Sequence, residues 1–180
     1  TDEHPRRNTS LEKLASLPLL NPDLEGAVTT AGNSSGLNDA AAALTLCSAE
    51  YAKAHGLTPL AVIRGWASAA LPPEETGLGP TKALPLALAK AGISIGDLQA
   101  VEINEAFASM AVASTRILGL DRSIVNVNGS GCSLGHPIAC TGARMILTMA
   151  YELIRSDAQW VAVAMCAAGG MGSATVIERV

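Results

Sequence analysis

Three residue types that support acyl-transfer chemistry follow apolar or glycine-rich runs in this 180-residue sequence. Asn104 ends the run 99–104, His136 follows a glycine-rich loop, and Cys166 stands between an apolar run and several glycines. Because ligands of an open α/β sheet gather outside the carboxyl ends of its strands, we expect these side chains to lie at one sheet edge. A thiol, an imidazole and an amide can there serve as nucleophile, base and orienting group.

His136 stands directly before Pro137, and this pair predicts where a helix begins. Proline suits the first helical position, because its φ is fixed and it has no N–H, and the preceding residue then becomes the cap. The positive end of the helix dipole disfavours a charged imidazole, so we expect a neutral His136 that can accept a proton. The helix is predicted to be mostly buried, with one polar stripe formed by Thr141, Arg144, Thr148, Glu152 and Arg155.

Each candidate residue also has a purely structural interpretation. His136 could cap a helix or lie hydrogen-bonded in the core, Asn104 could cap the helix that follows it, and Cys166 could fill the core as a small apolar side chain. The glycine-rich turn 169–172 would offer backbone N–H groups to an oxyanion beside the thiol, as an acyl-transfer site needs. From the residue types alone, both interpretations stay open.

The elements that would position these residues alternate between strand and helix from residue 57 onward. Strands are predicted at 60–70, 99–104, 124–128, 160–166 and 174–179, and helices at 79–91, 107–118 and from Pro137 onward. Gly92 is the predicted stop of the first helix, and Pro85 is compatible with that helix only in its first turn. The alternation predicts a layered α/β unit with a mixed, mostly parallel sheet and an antiparallel final hairpin.

The first 56 residues have a different character. Residues 1–28 are irregular, with one helical turn predicted at 11–17. The small-residue loop 29–39 could approach a ligand closely or serve as a flexible connector. A buried strand is predicted at 40–47, and a helix at 49–55 that ends at Gly56.

Composition limits the class of protein. The chain is 49% apolar and 16% charged with a net charge of −4, which is typical of a globular protein and argues against a nucleic-acid partner. No apolar run reaches the roughly 18 residues of a membrane span, and the polar first residues do not have the pattern of a signal peptide. The four cysteines contain no C-x-x-C pair, which predicts no metal site and a cytoplasmic location with reduced thiols.

The order of several motifs resembles the C-terminal half of thiolases. The matching runs are NEAF at 104–107, NVNG at 126–129, GHP at 135–137, TGAR at 141–144, Cys166 with GGMG at 169–172, and the loop at 31–36. This resemblance covers nearly the whole chain and implies a thiolase-like layered fold. It implies that residues 57–180 are the C-terminal domain, and that residues 1–56 are the tail of the loop region with the last strand and helix of the N-terminal domain.

The chemistry that the resemblance implies is acyl transfer between coenzyme A thioesters. Thiolytic cleavage of a 3-ketoacyl-CoA, or the reverse Claisen condensation, proceeds through an acyl group on a nucleophilic cysteine, with the thioester as substrate and no further cofactor. By resemblance, His136 activates that cysteine, Cys166 is the acid/base, and Asn104 holds a water that completes an oxyanion site. The implied substrate-binding residues are Ser35, Ala106, Phe107 and Ala168.

Two departures from the family pattern shape the expectation for this chain. Ala168 stands where the family commonly has glycine, and a positive φ there would be strained. The nucleophile motif matches none of the four cysteines, and the chain begins with Thr1 rather than Met. We therefore expect part of a thiolase that is inactive alone. It would need its N-terminal half, in the same polypeptide or as another chain, and the complete enzyme would be a homo-oligomer.

Two other interpretations compete with this one. The chain could be a catalytically inactive thiolase-like fragment or subunit with a binding or assembly role. It could also belong to a related condensing enzyme such as a ketosynthase, but those enzymes use two histidines with the nucleophile, and His4 and His55 stand in no suitable context.

Overall fold

The structure, a computed structural model, describes residues 4–180 and is centred on a four-stranded sheet. The strands are β1 Val62–Ala70, β2 Ala100–Ile103, β3 Trp160–Ala167 and β4 Met171–Glu178, in the order β1-β4-β3-β2. β2 and β3 are parallel, whereas β4 is antiparallel to both β3 and β1. The α/β class, the mixed sheet and the final hairpin are confirmed. A mostly parallel sheet is wrong, because the hairpin inserts β4 between β3 and β1.

Helices cover both faces of this sheet. The α-helices of the described residues are α1 Leu11–Ala15, α2 Ala49–Ala54, α3 Gly79–Ala91, α4 Ala108–Ile117, α5 Gly131–Leu134 and α6 Thr141–Ser156. α3 and α4 pack on the face that presents Val101 and Ile103, and α6 packs on the face that presents Val161 and Val163. The result is a three-layer α/β/α arrangement. Among residues 4–180, no helix is long and apolar enough to cross a membrane.

The helix predicted at 79–91 matches α3, and Gly92 ends it with φ 74°. The restriction of Pro85 to the first turn is wrong, because Pro85 lies in the interior of α3. Proline there removes one backbone hydrogen bond from the helix. Leu84 and Ala87 beside it are fully buried, so packing against the sheet holds the helix in place.

Two predicted strands are not strands in the structure. Residues 40–47 have no regular secondary structure and are largely exposed, since no described strand lies beside them for pairing. Residues 124–128 form only one parallel bridge, between Val101 and Val125. Asn126 then turns out of the extended conformation with φ 53°, and its side-chain amide bonds the N–H of Ile103 at 2.7 Å and its carbonyl at 3.0 Å. The Asn126 side chain therefore makes the hydrogen bonds to Ile103 that a neighbouring strand would make through its backbone.

α6 begins at Thr141, four residues after the predicted start at Pro137. The carbonyl of Pro137 accepts from the N–H groups of Cys140 at 2.8 Å and Thr141 at 2.9 Å, so the proline opens a turn that leads into the helix. His136 consequently lies outside the helix, and the prediction that it is the helix cap is wrong. Its protonation state must depend on something other than the helix dipole.

The polar stripe of α6 faces inward at several positions. Thr141 and Glu152 are buried, and Arg144 forms an ion pair with Glu102 of β2. Tyr151 and Ile154 are more than half exposed instead. The stripe therefore points toward polar partners on the neighbouring elements, and part of the apolar surface of the helix faces outward.

Small residues let β1 and α3 approach each other closely. Gly65 is buried in β1 beside an irregularity in the pairing with β4. A Cβ at Gly65 would lie 2.9 Å from the backbone nitrogen of Ala91 and would overlap the carbonyl of Ala87. No side chain fits there unless α3 moves.

We therefore expect Gly65→Ala to lower the free energy of unfolding by about 1–3 kcal/mol, as measured by denaturant unfolding of the chain. Gly96→Ala is the matched control, since a Cβ at Gly96 would meet only the Ser94 Oγ, at 3.7 Å. Its effect should stay within about 0.5 kcal/mol. Equal losses in the two variants would contradict the close packing of β1 on α3.

Candidate active site

The His136 side chain is held by a hydrogen bond with Thr141, the first residue of α6. Nδ1 lies 2.7 Å from the Thr141 Oγ1, and the Thr141 hydroxyl donates to the Pro137 carbonyl at 2.9 Å. A hydroxyl has only one proton to donate. When that proton is directed to Pro137, the Thr141 oxygen accepts from His136, and this arrangement places the imidazole proton on Nδ1 and the lone pair on Nε2.

Asn104 lies against the His136 ring at the end of β2. Its Nδ2 is 3.4 Å from both ring nitrogens, and its side chain is buried. The backbone N–H of Asn104 donates to the carbonyl of Ala164 in β3 at 2.9 Å. Because β2 and β3 are parallel, Cys166 lies two residues further along the adjacent strand. The structure thus brings Asn104 and His136 into contact and places Cys166 at the end of the neighbouring strand.

Asn38 is a site residue that the sequence did not single out. Its Oδ1 accepts from the backbone N–H of His136 at 3.0 Å, and its Nδ2 lies 3.0 Å from the Nδ1 of His4. Gly135, with φ 108°, leaves room for this contact, since a Cβ there would lie 2.9 Å from the Asn38 side chain. The sequence predicts that the small-residue loop 29–39 can approach a ligand closely. No residue type in the loop indicates that Asn38 would bind the His136 backbone.

The segment around residue 35 lies beside the residues that follow β2. The Ser35 N–H donates to the carbonyl of Ala106 at 3.0 Å, and Ser34 forms an isolated antiparallel bridge with Phe107. Phe107 keeps 38% of its surface exposed. Three of the four residues implied to bind substrate, namely Ser35, Ala106 and Phe107, therefore lie together.

Ala168, the fourth of these residues, lies exposed in the turn between β3 and β4. The positive φ values in this turn belong to Gly169, at 90°, and Gly170, at 83°. Ala168 does not adopt a positive φ. The replacement of the common glycine by alanine therefore brings none of the backbone strain that the sequence raised as a concern.

Burial sets the protonation states of the site. It lowers the pKa of His136 from the ordinary 6.5, and the positive charge of Arg144 lowers it further. The neutral imidazole expected from the sequence is therefore favoured, although the causes are burial and a cation rather than a helix dipole. Burial also raises the pKa of Cys166, so its thiol is protonated at neutral pH and can donate a proton.

The remaining cysteines lie in environments unlike that of an activated nucleophile. Burial and the nearby Glu105 raise the pKa of Cys132 to about 11, and its thiol donates to the Glu105 carbonyl at 3.4 Å. Cys140 is buried, and Cys47 is exposed rather than held in a strand. Within residues 4–180, no group of three or more His, Cys, Asp or Glu side chains is arranged to hold a metal ion.

Fold and site together define a layered α/β protein with an imidazole, an amide and a thiol at the carboxyl ends of two adjacent parallel strands. The chain belongs to the thiolase family: residues 57–179 match the family described as "Thiolase, C-terminal domain", and residues 1–50 match "Thiolase, N-terminal domain". The domain boundary between residues 56 and 57 stays a prediction.

Individual thiolases are similar over essentially the whole chain. The beta-ketothiolase BktB of Cupriavidus necator is 44% identical over 180 residues, and the 3-ketoacyl-CoA thiolase of Bacillus subtilis is 46% identical over 178. The crystal structure of Bacillus anthracis acetyl-CoA acetyltransferase matches 99% of the chain with a TM-score of 0.92 at 47% identity. Human mitochondrial 3-ketoacyl-CoA thiolase, solved in complex with CoA, matches 99% with a TM-score of 0.88 at 38% identity. The chain spans about 45% of the length of each of these relatives.

The contact between Asn38 and His136 predicts a specific change in amide exchange. Asn38→Ala removes the acceptor of the His136 N–H, so hydrogen exchange at that amide should accelerate about tenfold or more, as measured by NMR. Asn38→Asp keeps the acceptor oxygen and should retain most of the protection. Equal exchange at His136 in the original chain and in Asn38→Ala would show that Asn38 does not hold this loop.

Proposed function

We propose that this chain is the C-terminal part of a thiolase that cleaves 3-ketoacyl-CoA by thiolysis, or condenses acyl-CoAs in reverse, through a Cys-bound acyl intermediate. The nucleophilic cysteine would come from an N-terminal half, in the same polypeptide or as another chain. The substrate is a coenzyme A thioester, and the residues described need no further cofactor for this chemistry. A cytoplasmic location stays a prediction from the sequence.

The arrangement of His136 is the observation that carries this proposal. Thr141 lies at hydrogen-bond distance from its Nδ1, an Nδ1–H donated to Thr141 leaves Nε2 as the acceptor of a proton, and burial with Arg144 lowers its pKa. Such an imidazole can take the proton of a thiol brought to Nε2 and so generate a thiolate nucleophile. None of the cysteines described above lies in the environment of an activated nucleophile, which supports a nucleophilic cysteine that comes from outside these 180 residues.

Cys166 would complete the proton transfers of thiolysis. The thiolate generated by His136 attacks the 3-keto carbon, the bond between C2 and C3 of the substrate breaks, and its electron pair forms the enolate of the departing acyl-CoA. The protonated thiol of Cys166 then donates its proton to that enolate carbon. The resulting thiolate takes a proton from free CoA, whose sulfur attacks the acyl-enzyme and releases the shortened acyl-CoA, and the departing cysteine thiolate takes back the proton that His136 holds. The raised pKa of Cys166 suits the first of these two roles.

Asn104 and the turn after Cys166 would stabilise the oxyanions. The Asn104 side chain is buried beside the His136 ring, and a water held by its amide would donate to the enolate oxygen. The exposed backbone at Ala168 would supply an N–H to the other oxyanion. The cluster of Ser35, Ala106 and Phe107 would contact the pantetheine arm, and a related thiolase solved with CoA supports this class of ligand.

Exposed apolar side chains support a partner for this chain. Leu37 is 95% exposed, Ile138 in the turn after His136 is 77% exposed, and Leu46 in the unpaired segment 40–47 is 71% exposed. Apolar surface of this kind marks an interface. The N-terminal half would cover this surface, and the complete enzyme would assemble as a homo-oligomer.

The second candidate is a thiolase-like fragment that has no activity and serves in binding or assembly. The absence of a matching nucleophile favours it as much as it favours a supplied N-terminal half. The two candidates differ in whether the His136 site works when a nucleophile is present.

A chimera tests the proposal. The N-terminal part of the Bacillus anthracis acetyl-CoA acetyltransferase, which this chain does not cover, is fused ahead of Thr1, and thiolysis of acetoacetyl-CoA is followed spectrophotometrically. The isolated chain should show no cleavage and the chimera should cleave. In the chimera, His136→Ala and Cys166→Ala should each lower kcat/KM by about a hundredfold or more, because each removes a proton-transfer group.

Cys47→Ala is the control in the same chimera, because Cys47 is exposed and should not change the rate. A folded chimera that cleaves nothing would favour the inactive candidate. Cleavage by the isolated 180 residues would refute the need for an external nucleophile.

A further inference from the structure

A buried ion pair joins β2 to α6 behind the proposed site. Glu102 in β2 is 1% exposed, and its Oε1 accepts from the Arg144 guanidinium and from the Ser130 hydroxyl, the latter at 2.9 Å. Burying two charges costs several kcal/mol for each ion unless they are paired and hydrogen-bonded, so a purely apolar contact could join the strand to the helix at lower cost. The pair therefore calls for an explanation beyond packing.

Each residue of the ion pair lies beside a residue that contacts His136. Glu102 and Asn104 are two residues apart in the β2 segment, so their side chains lie on the same side of the sheet. Arg144 and Thr141 are three residues apart on α6 and share a helix face. Thr141 and Asn104 are the two side chains that contact the His136 ring.

The hydrogen bonding around the pair is incomplete. Glu102 Oε2, Arg144 Nη2 and Asn104 Oδ1 are all buried and have no hydrogen-bond partner among the described residues. A pair that served only to join β2 to α6 would gain stability by using these atoms. One nitrogen of the guanidinium instead remains buried and without a hydrogen-bond partner.

We propose that Glu102 is a positioning residue that acts on His136 through Arg144: it holds the guanidinium on the site side of α6, so that a fixed positive charge stands near the imidazole. The importance of this charge for catalysis by His136 rests on the proposed function. The placement of the charge is a property of the chain itself. Arg144 lowers the pKa of His136, and this effect depends on a guanidinium that does not swing out to solvent.

Other ionisable groups occupy the elements around the ring. They are Glu105 after β2, Cys132 in α5, Cys140 before α6, Cys166 in β3, and His4 beyond Asn38. None of these is a cation beside α6, because thiol and carboxyl groups carry no positive charge and His4 contacts Asn38 rather than the ring. The pKa of His136 should therefore respond to the removal of Arg144.

The test follows the ¹⁵N NMR titration of His136 in the 180-residue chain, with its resonances assigned by their loss in His136→Asn. Arg144→Met removes the cation and should raise the pKa of His136 by about half a unit. Glu102→Ala removes the group that holds Arg144, so the guanidinium can leave the site and the pKa of His136 should rise as it does in Arg144→Met. In the Arg144→Met background, Glu102→Ala should give no further rise, because no guanidinium remains to be released.

A merely structural ion pair gives a different result. Loss of Glu102 would then loosen the site and raise the pKa of His136 further even in the Arg144→Met background, and that outcome, or no rise in Glu102→Ala alone, overturns the proposal. Arg155→Met is the matched control, because Arg155 pairs with buried Glu152 on the same helix and should leave His136 unchanged. Should Arg144→Met not fold, Arg144→Gln takes its place with the same expected rise. The titration needs no catalysis, so its outcome is independent of the chimera.

Discussion

The hydrogen bond from His136 to Thr141 is the interaction on which the rest of the site depends. With the Thr141 hydroxyl donating to the Pro137 carbonyl, the Thr141 oxygen accepts from the Nδ1–H of the imidazole. This fixes the tautomer, leaves Nε2 as the basic atom and ties the ring to the first turn of α6. Tautomers fixed by a partner at the other ring nitrogen are the usual way in which a protein prepares a histidine for proton transfer.

Three separate parts of the chain then converge on this histidine. The parallel pairing of β2 with β3 sets Asn104 beside the ring and Cys166 at the end of the neighbouring strand. The loop before residue 40 supplies Asn38, which holds the His136 backbone. α6 supplies Arg144, whose charge acts together with burial to keep the ring neutral. The site is therefore assembled by long-range contacts around a short turn, and no single element contains it.

Local sequence signals were sufficient for α3 and for the strands of the central sheet. The extent of α3 followed from its flanking glycines, and the strand ends that carry Asn104 and Cys166 followed from apolar runs. The start of α6 did not follow, because the signal of Pro137 for a helix start is equally compatible with the turn that the structure contains. The strand predicted at 124–128 was lost because the Asn126 side chain imitates a peptide group, a substitution that residue periodicity cannot indicate. Asn38 and Glu102 were missed since their roles depend on contacts distant in sequence.

The measurement that tests this account most directly is the tautomer of His136 in the unmodified 180-residue chain, read from its two side-chain ¹⁵N chemical shifts above the pKa of the ring. The account predicts a protonated Nδ1 with the shift of a pyrrole-type nitrogen and an unprotonated Nε2 with the shift of a pyridine-type nitrogen. A protonated Nε2, or rapid averaging of the two tautomers, would contradict it. In that case Thr141 would not hold the ring, and Nε2 would not be the base.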